Sequence, residues 1–187
     1  MSGFVAVSEW DAHYAAGRNF RPVMSEEQTV FERHVGTGDG LSALDVGCGT
    51  GEFAAYLNER GYNVLGVDYA EKAVSLARSR YQGTSGLSFQ CWNAEGEEWA
   101  TLPVYDVISS RLSYTFIQEK GEFLKMVRDH LAPGGSFHVM TPHADRVPPG
   151  RRSTGITAAE IDELCHGWTT VKEYDLDAHH VCYTLTL

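Results

Sequence analysis

"ALDVGCGTGEF", residues 43–53, decides how the rest of the chain is read. An apolar, β-prone run stops at three glycines spaced one residue apart, Gly47, Gly49 and Gly51, and a helix-like pattern follows. Glycines at these points let the backbone turn tightly and approach a ligand without a Cβ in the way. In an open parallel sheet, ligands bind beyond the carboxyl ends of the strands, where this loop falls. Downstream, "YNVLGVD" reads as a second strand ending at Asp68, whose side chain is placed to accept from both hydroxyls of a ribose.

Outward from the loop, strand and helix patterns alternate over about a hundred residues, which predicts right-handed crossovers and a parallel sheet covered on both faces. "EFAAYLNERG" is a helix with Gly61 at its C-terminal cap, and "AEKAVSLARSRY" a second, with Ala73, Leu76 and Ala77 on one face. "LSFQCW" and "YDVISS" are further strands, and "GEFLKMVRDHL" is a helix with Phe123, Leu124, Val127 and Leu131 at helical spacing. "APGG" reads as a sharp turn before the strand "SFHVMT". "TAAEIDELC" is a helix with Thr157 as N-cap and Glu160 three residues later. The last two strands, "WTTVKEYDL" and "HHVCYTLTL", are too close in sequence to be parallel, so the sheet ends in an antiparallel hairpin. Residues 1–38 differ: they carry Phe4, Trp10, Tyr14 and Phe20, much charge, and one helix, "SEEQTVFERHV", with a Ser25–Gln28 capping box. They are read as an N-terminal helical arm, and residues 39–187 as the main domain.

Three features count against a phosphate-bearing ligand in the glycine loop. The spacing is G-x-G-x-G, with Glu52 where a dinucleotide fingerprint would have its third glycine. No G-K-[ST] follows, so it is not a P-loop. Asp45 and Glu52 flank the loop, and a pyrophosphate would meet two carboxylates where it needs amide donors and positive potential. A nicotinamide-dependent oxidoreductase is the alternative on fold grounds, and the same features count against it. A ligand with a ribose, no phosphates and its own positive charge fits better, and S-adenosylmethionine meets that description.

The stretch from Ala43 to Arg80 resembles the first two motifs of the class I S-adenosylmethionine-dependent methyltransferases, carried by L-D-V-G-C-G-T-G and V-D-Y at this separation. The resemblance runs from about residue 41 onward. It implies an α/β, Rossmann-like three-layer sandwich around a seven-stranded, mostly parallel sheet with the terminal hairpin. By the same resemblance, Asp45, Gly47, Gly49 and Gly51 lie at the cofactor's methionyl tail, Asp68 binds the ribose, and Tyr69 packs beside the adenine. "CWNAEGEEW" resembles the third motif: Asn93 stands where Asp is commonest and accepts from the adenine amine, and the Ala94 N–H donates to the ring. Trp92 either stacks on the adenine or belongs to the core. Arg111, after the fourth strand, is a cofactor contact. The arm "WDAHYAAGRNFRP" resembles a lid that sends a Tyr and an Arg to the cofactor carboxylate, here Tyr14 and Arg21, with Arg18 as the alternative.

For the acceptor the sequence offers two bases, His143 in "TPHAD" and Tyr114 in "SSRLSYTFI", each with a structural role as the competing reading. The segment at 143–156 is too short to hold a substrate-covering insertion, which points to an acceptor enclosed mainly by the arm. The expected function is methyl transfer to an O or N of a small-molecule acceptor. The alternatives are a peptide or protein methyltransferase and a non-catalytic cofactor-binding module. A net charge of −10 argues against nucleic acid and anionic membranes, and "RVPPGRR" (Arg146, Arg151, Arg152) reads as a solvated loop. Four scattered cysteines form no zinc or disulfide pattern, and Cys48 in the loop is a small filler rather than a nucleophile. The adjacent histidines 179 and 180 fall in a strand with side chains on opposite faces, so no metal site is expected. With no signal segment and no run near the ~18 apolar residues of a membrane span, the expectation is a cytoplasmic monomer or homodimer.

Overall fold

A computed structural model describes residues 6–18 and 21–187. Phe4 and Phe20 of the expected arm lie outside the described residues. In chain order the elements are α1 (Val7–Ala15), α2 (Ser25–His34), β1 (Ser42–Val46), α3 (Glu52–Glu59), β2 (Asn63–Asp68), α4 (Glu71–Arg80), β3 (Leu87–Cys91), β4 (Tyr105–Arg111), α5 (Lys120–Asp129), β5 (Leu131–Pro142), α6 (Ala158–Cys165), β6 (Thr170–Asp175) and β7 (His180–Thr186). The seven strands form one sheet in the order β3-β2-β1-β4-β5-β7-β6. Strands β1 to β5 pair in parallel, and β7 runs antiparallel to both β5 and β6. The alternation and the terminal hairpin read in the sequence are therefore those of the fold.

Strand residues alternate between two cores, as a sheet covered on both faces requires. Leu44, Val46, Ile108, Phe137 and Val139 face one core with Phe123, Leu124 and Val127 of α5 and Leu164 of α6. Ala43, Val64 and Val107 face the other, with Phe31 of α2, Phe53 and Leu57 of α3, and Val74 and Ala77 of α4. Among the described residues, no helix is long and apolar enough to cross a membrane.

Several local expectations change. The Ser25–Gln28 capping box does not form. Met24 is the N-cap, Ser25 is already helical, and its hydroxyl turns to Glu26 instead, 3.1 Å away. On α4 the buried stripe is Ala73, Val74 and Ala77, and Leu76 is exposed, because the face turned to the sheet is centred one step toward Val74. "APGG" does not precede the fifth strand but interrupts it. The pairing of β4 with β5 jumps from Tyr105↔Leu131 to Val107↔Ser136, and Gly134, at φ +79°, absorbs the excursion. Strand β7 begins at His180, so His179 belongs to the turn. The two rings take different partners, Arg146 O for His179 and Asp177 for His180. The capping box on α6 is present: Glu160 N–H donates to Thr157 Oγ1 at 3.3 Å, and Thr157 N–H to Glu160 Oε2 at 2.8 Å.

Candidate cofactor and acceptor site

At the carboxyl ends of β1, β2 and β4 lies a cavity of about 280 Å³, over which α1 is laid. Its floor is the glycine loop. Gly47, Gly49 and Gly51 have φ of +71°, +53° and +84°, a region costly for any residue with a Cβ. Crowding also differs at each. A Cβ on Gly47 would land on the Ser113 side chain; on Gly49 it would stand 2.9 Å from the Tyr14 hydroxyl; on Gly51, 2.6 Å from the Phe89 ring. All three glycines thus make room for the protein's own side chains, Gly49 for that of the arm. Gly47→Ala is expected to cost about 1–3 kcal/mol from strain and overpacking, read as a lowered melting temperature of the free protein.

Asp45, the fourth residue of β1, is 1% exposed and lines the cavity. Its Oδ1 accepts from the Ser109 hydroxyl at 2.8 Å, across the β1–β4 pairing. Its Oδ2 is buried with no hydrogen-bond partner. Burial pushes this carboxyl up to about 7, offset by the Ser109 hydroxyl, the charge of Arg111 and the nearby Ala54 backbone N–H, with the Asp68 charge adding to the rise. Asp68 ends β2, and its two oxygens accept from Gly49 N–H and Ala70 N–H, each at 2.9 Å. Burial raises its pKa as well. A carboxylate has about four lone-pair sites, so each Asp68 oxygen can take a further donor. Glu52 also lines the cavity, but its charge is met by Arg80 at 2.8 Å.

Tyr69, Trp92, Asn93 and Ala94 line the end of the cavity next to β2 and β3. Asn93 Oδ1 accepts from Glu95 N–H at 3.1 Å, and Trp92 meets Trp99 edge-on at 5.8 Å while still reaching the cavity wall. From above, Tyr14 is buried over Gly49, and Trp10 meets Phe116 edge-on at 5.1 Å. The arm is fastened further along, where Asp11 Oδ1 accepts from Lys72 N–H, 3.0 Å away.

Arg21 and Arg111 both line the cavity, and both are already engaged. Arg21 Nη1 bonds Asp177 in the β6–β7 turn and lies 2.9 Å from His180 Nδ1. Arg111 is committed to the arm and α2. Its Nε donates to Glu27 Oε1, and its Nη2 to Glu27 Oε2 (3.1 Å) and to the carbonyls of Arg21 and Pro22 (3.0 Å each). The side chains of this pair are 9% and 0% exposed. Arg111 is therefore the clamp that holds the arm to the sheet.

The two residues read as bases stand outside the cavity lining. Tyr114 is fully buried against Phe123, with Lys120 over its ring, because the short 3₁₀ turn Tyr114–Phe116 points it into the core and sends Phe116 to the cavity. His143 Nδ1 accepts from Asp145 N–H at 3.2 Å, and its backbone bridges to Ile156, which ties it into the loop after β5. Cys48 is buried, and its thiol pKa is raised by that burial, as suits a filler. Arg146 and Arg152 of the basic loop pair with Asp175 and Asp145.

The sequence reading missed Glu27, Ser109 and Leu112. Glu27 carried a signal, since it lies four residues before Phe31 and so on the buried face of α2.

Comparison with known proteins bears on the family and the fold. A family profile described as a methyltransferase domain matches residues 12–184. The chain is similar to a ubiquinone biosynthesis O-methyltransferase of Acinetobacter baylyi, 27% identical over 149 residues, covering 77% of this chain and 60% of that protein. It is also similar to a probable S-adenosylmethionine-dependent methyltransferase of Mycolicibacterium smegmatis, 27% identical over 166 residues, covering 79% and 62%. The chain thus spans less than two thirds of the length of these curated relatives. Among solved structures, an S-adenosylmethionine-dependent methyltransferase from Mesorhizobium loti superposes with a TM-score of 0.68 at 19% identity, covering 86% of this chain and 97% of that one. The plantazolicin methyltransferase BpumL, crystallised with SAH and a triazolic desmethylPZN analog, gives 0.66 at 15% identity, covering 78% and 76%. At these identities the structural likeness speaks for the fold.

Proposed function

The chain belongs to the class I S-adenosylmethionine-dependent methyltransferases, and from that premise we propose that it moves the cofactor's methyl group to an oxygen or nitrogen of a small-molecule acceptor. The observation that carries the cofactor reading is Asp45, which lines the cavity and whose buried Oδ2 has no hydrogen-bond partner. A buried polar atom left unmet is costly, and the ammonium of the methionyl tail supplies the missing donor together with a charge. Asp68 then takes the ribose hydroxyls on its remaining lone pairs, Tyr69 packs beside the adenine, and Asn93 and the Ala94 N–H meet the adenine edge. Tyr14 and Arg21 cover the carboxylate end, with Gly47, Gly49 and Gly51 passing beneath. Residues 1–38 act as the lid and 39–187 as the methyltransferase domain.

When bound, the cofactor supplies a methyl group already activated for displacement by its sulfonium. The chain's own part is to align the two reactants and exclude water. Tyr14, Trp10 and Phe116 do the excluding, because together they roof the cavity. That roof supports a small acceptor over a folded macromolecule, as does the O-methyltransferase name of the Acinetobacter relative. Neither His143 nor Tyr114 is carried forward as a base.

The test is transfer from methyl-labelled S-adenosylmethionine into a mixture of phenols, catechols and amines, run beside a peptide library. Label in the small molecules is expected. Label confined to peptides would overturn the acceptor class and leave the cofactor reading standing.

A further inference from the structure

Paired residues of neighbouring strands turn their side chains to the same face of the sheet. The row that contains Asp45 runs Gly66, Asp45, Ser109, His138 and Thr184 across β2, β1, β4, β5 and β7. It lies on the face covered by α2 and α3, whose Phe31 and Phe53 pack on His138. Strands covered on both faces are mostly apolar, so a row of buried polar side chains calls for a cause. Buried polar groups persist where they are paired, and this row divides into two pairs. Thr184 Oγ1 lies 3.1 Å from His138 Nδ1, and Ser109 Oγ donates to Asp45 Oδ1 at 2.8 Å.

Within the row Asp45 has one neighbour that can donate. Gly66, on its other side, has no side chain, and a Cβ there would stand 2.7 Å from the Phe89 ring and 3.1 Å from Cys48 Sγ. A hydroxyl has a single hydrogen to give. That of Ser109 has two acceptors in reach, Leu44 O at 3.4 Å and Asp45 Oδ1 at 2.8 Å, and the shorter bond to a charged oxygen is the stronger. Ser109 is fully buried and does not line the cavity, so it acts on Asp45 and not on a ligand. The other groups facing Asp45 are Asp68 of β2, Arg111 of β4, the Ala54 N–H of α3 and the Cys48 thiol of the glycine loop. Arg111 already has its own counter-ion in Glu27 of α2, and the Asp68 charge opposes that of Asp45.

On the premise that the methyltransferase reading above holds, Asp45 meets the cofactor's ammonium and has to be charged to do so. We infer that Ser109 is a positioning residue: from β4 it pins one oxygen of Asp45 in the ionised form, which leaves the other oxygen and the negative charge for the amino group of the cofactor. The donor matters here because burial works against the charge and pushes the carboxyl up to about 7.

Calorimetric titration of the full chain and of Ser109→Ala with S-adenosylhomocysteine, between pH 6 and pH 9, tests this. Losing one hydrogen bond to the carboxylate should move the titration of Asp45 upward by about one pH unit. The unmodified chain should then bind about tenfold more tightly than Ser109→Ala at pH 6, and within about twofold of it at pH 9, where both carboxyls are ionised. Ionisation of the ligand itself cancels in this ratio. A purely structural loss would lower affinity by the same factor at every pH. 5′-Methylthioadenosine, which has the adenosine part without the amino group, should bind both proteins within about twofold. In the free proteins the Asp45 carboxyl carbon, followed by ¹³C NMR, should titrate at higher pH in Ser109→Ala. A ratio that does not change with pH, an unmoved Asp45 titration, or an equal loss for 5′-methylthioadenosine would overturn the inference. Failure of the underlying reading is distinct: the unmodified chain would not bind S-adenosylhomocysteine at any pH.

Discussion

Asp45→Asn is expected to weaken binding of S-adenosylhomocysteine by roughly 10- to 150-fold at pH 8, the 1.5–3 kcal/mol carried by a hydrogen bond to a charged group. The substitution keeps the shape and the bond with Ser109, and removes the charge from a residue that lines the cavity. The native protein should show the same dependence through pH. Burial holds the Asp45 carboxyl at about 7 in the free protein, so the ionised form that meets an ammonium is populated above that value. Affinity should be flat above pH 7 and fall by about tenfold per unit below it, and Asp45→Asn should lose this dependence. Stability runs the other way. Between pH 4 and pH 7 the native carboxyl holds a proton that the unfolded chain has released, so this group makes the free protein less stable as pH rises. At pH 8, Asp45→Asn should therefore melt higher than the unmodified free protein, by about 2–4 °C for each kcal/mol relieved. Calorimetric titration and thermal melts across pH 5.5–8.5 test both signs.

The largest stability effect is expected at the arm clamp. Glu27→Ala leaves the Arg111 guanidinium buried without its counter-ion, a change that typically costs about 3–5 kcal/mol. Glu27 is 0% exposed and both of its oxygens are taken by Arg111, so no water shell replaces the lost partner. Replacing both residues together, Glu27→Leu with Arg111→Met, should recover most of the loss, because a well-packed apolar pair is often as stable as the ion pair it replaces. Cofactor affinity should not recover in the double variant, since the carbonyls of Arg21 and Pro22 lose the donors that seat the arm. Urea unfolding and S-adenosylhomocysteine titration on the single and double variants separate the two effects. Equal recovery of stability and affinity would remove the positioning role of the clamp.

The sheet was legible because its signals are local. Hydrophobic runs, the G-x-G-x-G loop and the short link before the last strand each constrain the backbone within a few residues. Asp45 and Asp68 could be read for the same reason, as they end or nearly end strands at the ligand side of a parallel sheet. Arg111 was legible as a cavity residue but not as a clamp, since its partner Glu27 is distant in sequence and looked like one more charge on a helix. Tyr114 misled because three residues after a strand end fix no direction: the 3₁₀ turn buried it and exposed Phe116 to the cavity in its place. Ser109 gave no signal at all, because only the pairing of β1 with β4 sets it beside Asp45.

Calorimetric titration of the unmodified chain with S-adenosylhomocysteine at pH 8 tests the central claim, that this cavity holds a sulfonium cofactor by its amino group and ribose. One-to-one, saturable binding in the micromolar range is expected. No binding at millimolar ligand would contradict it.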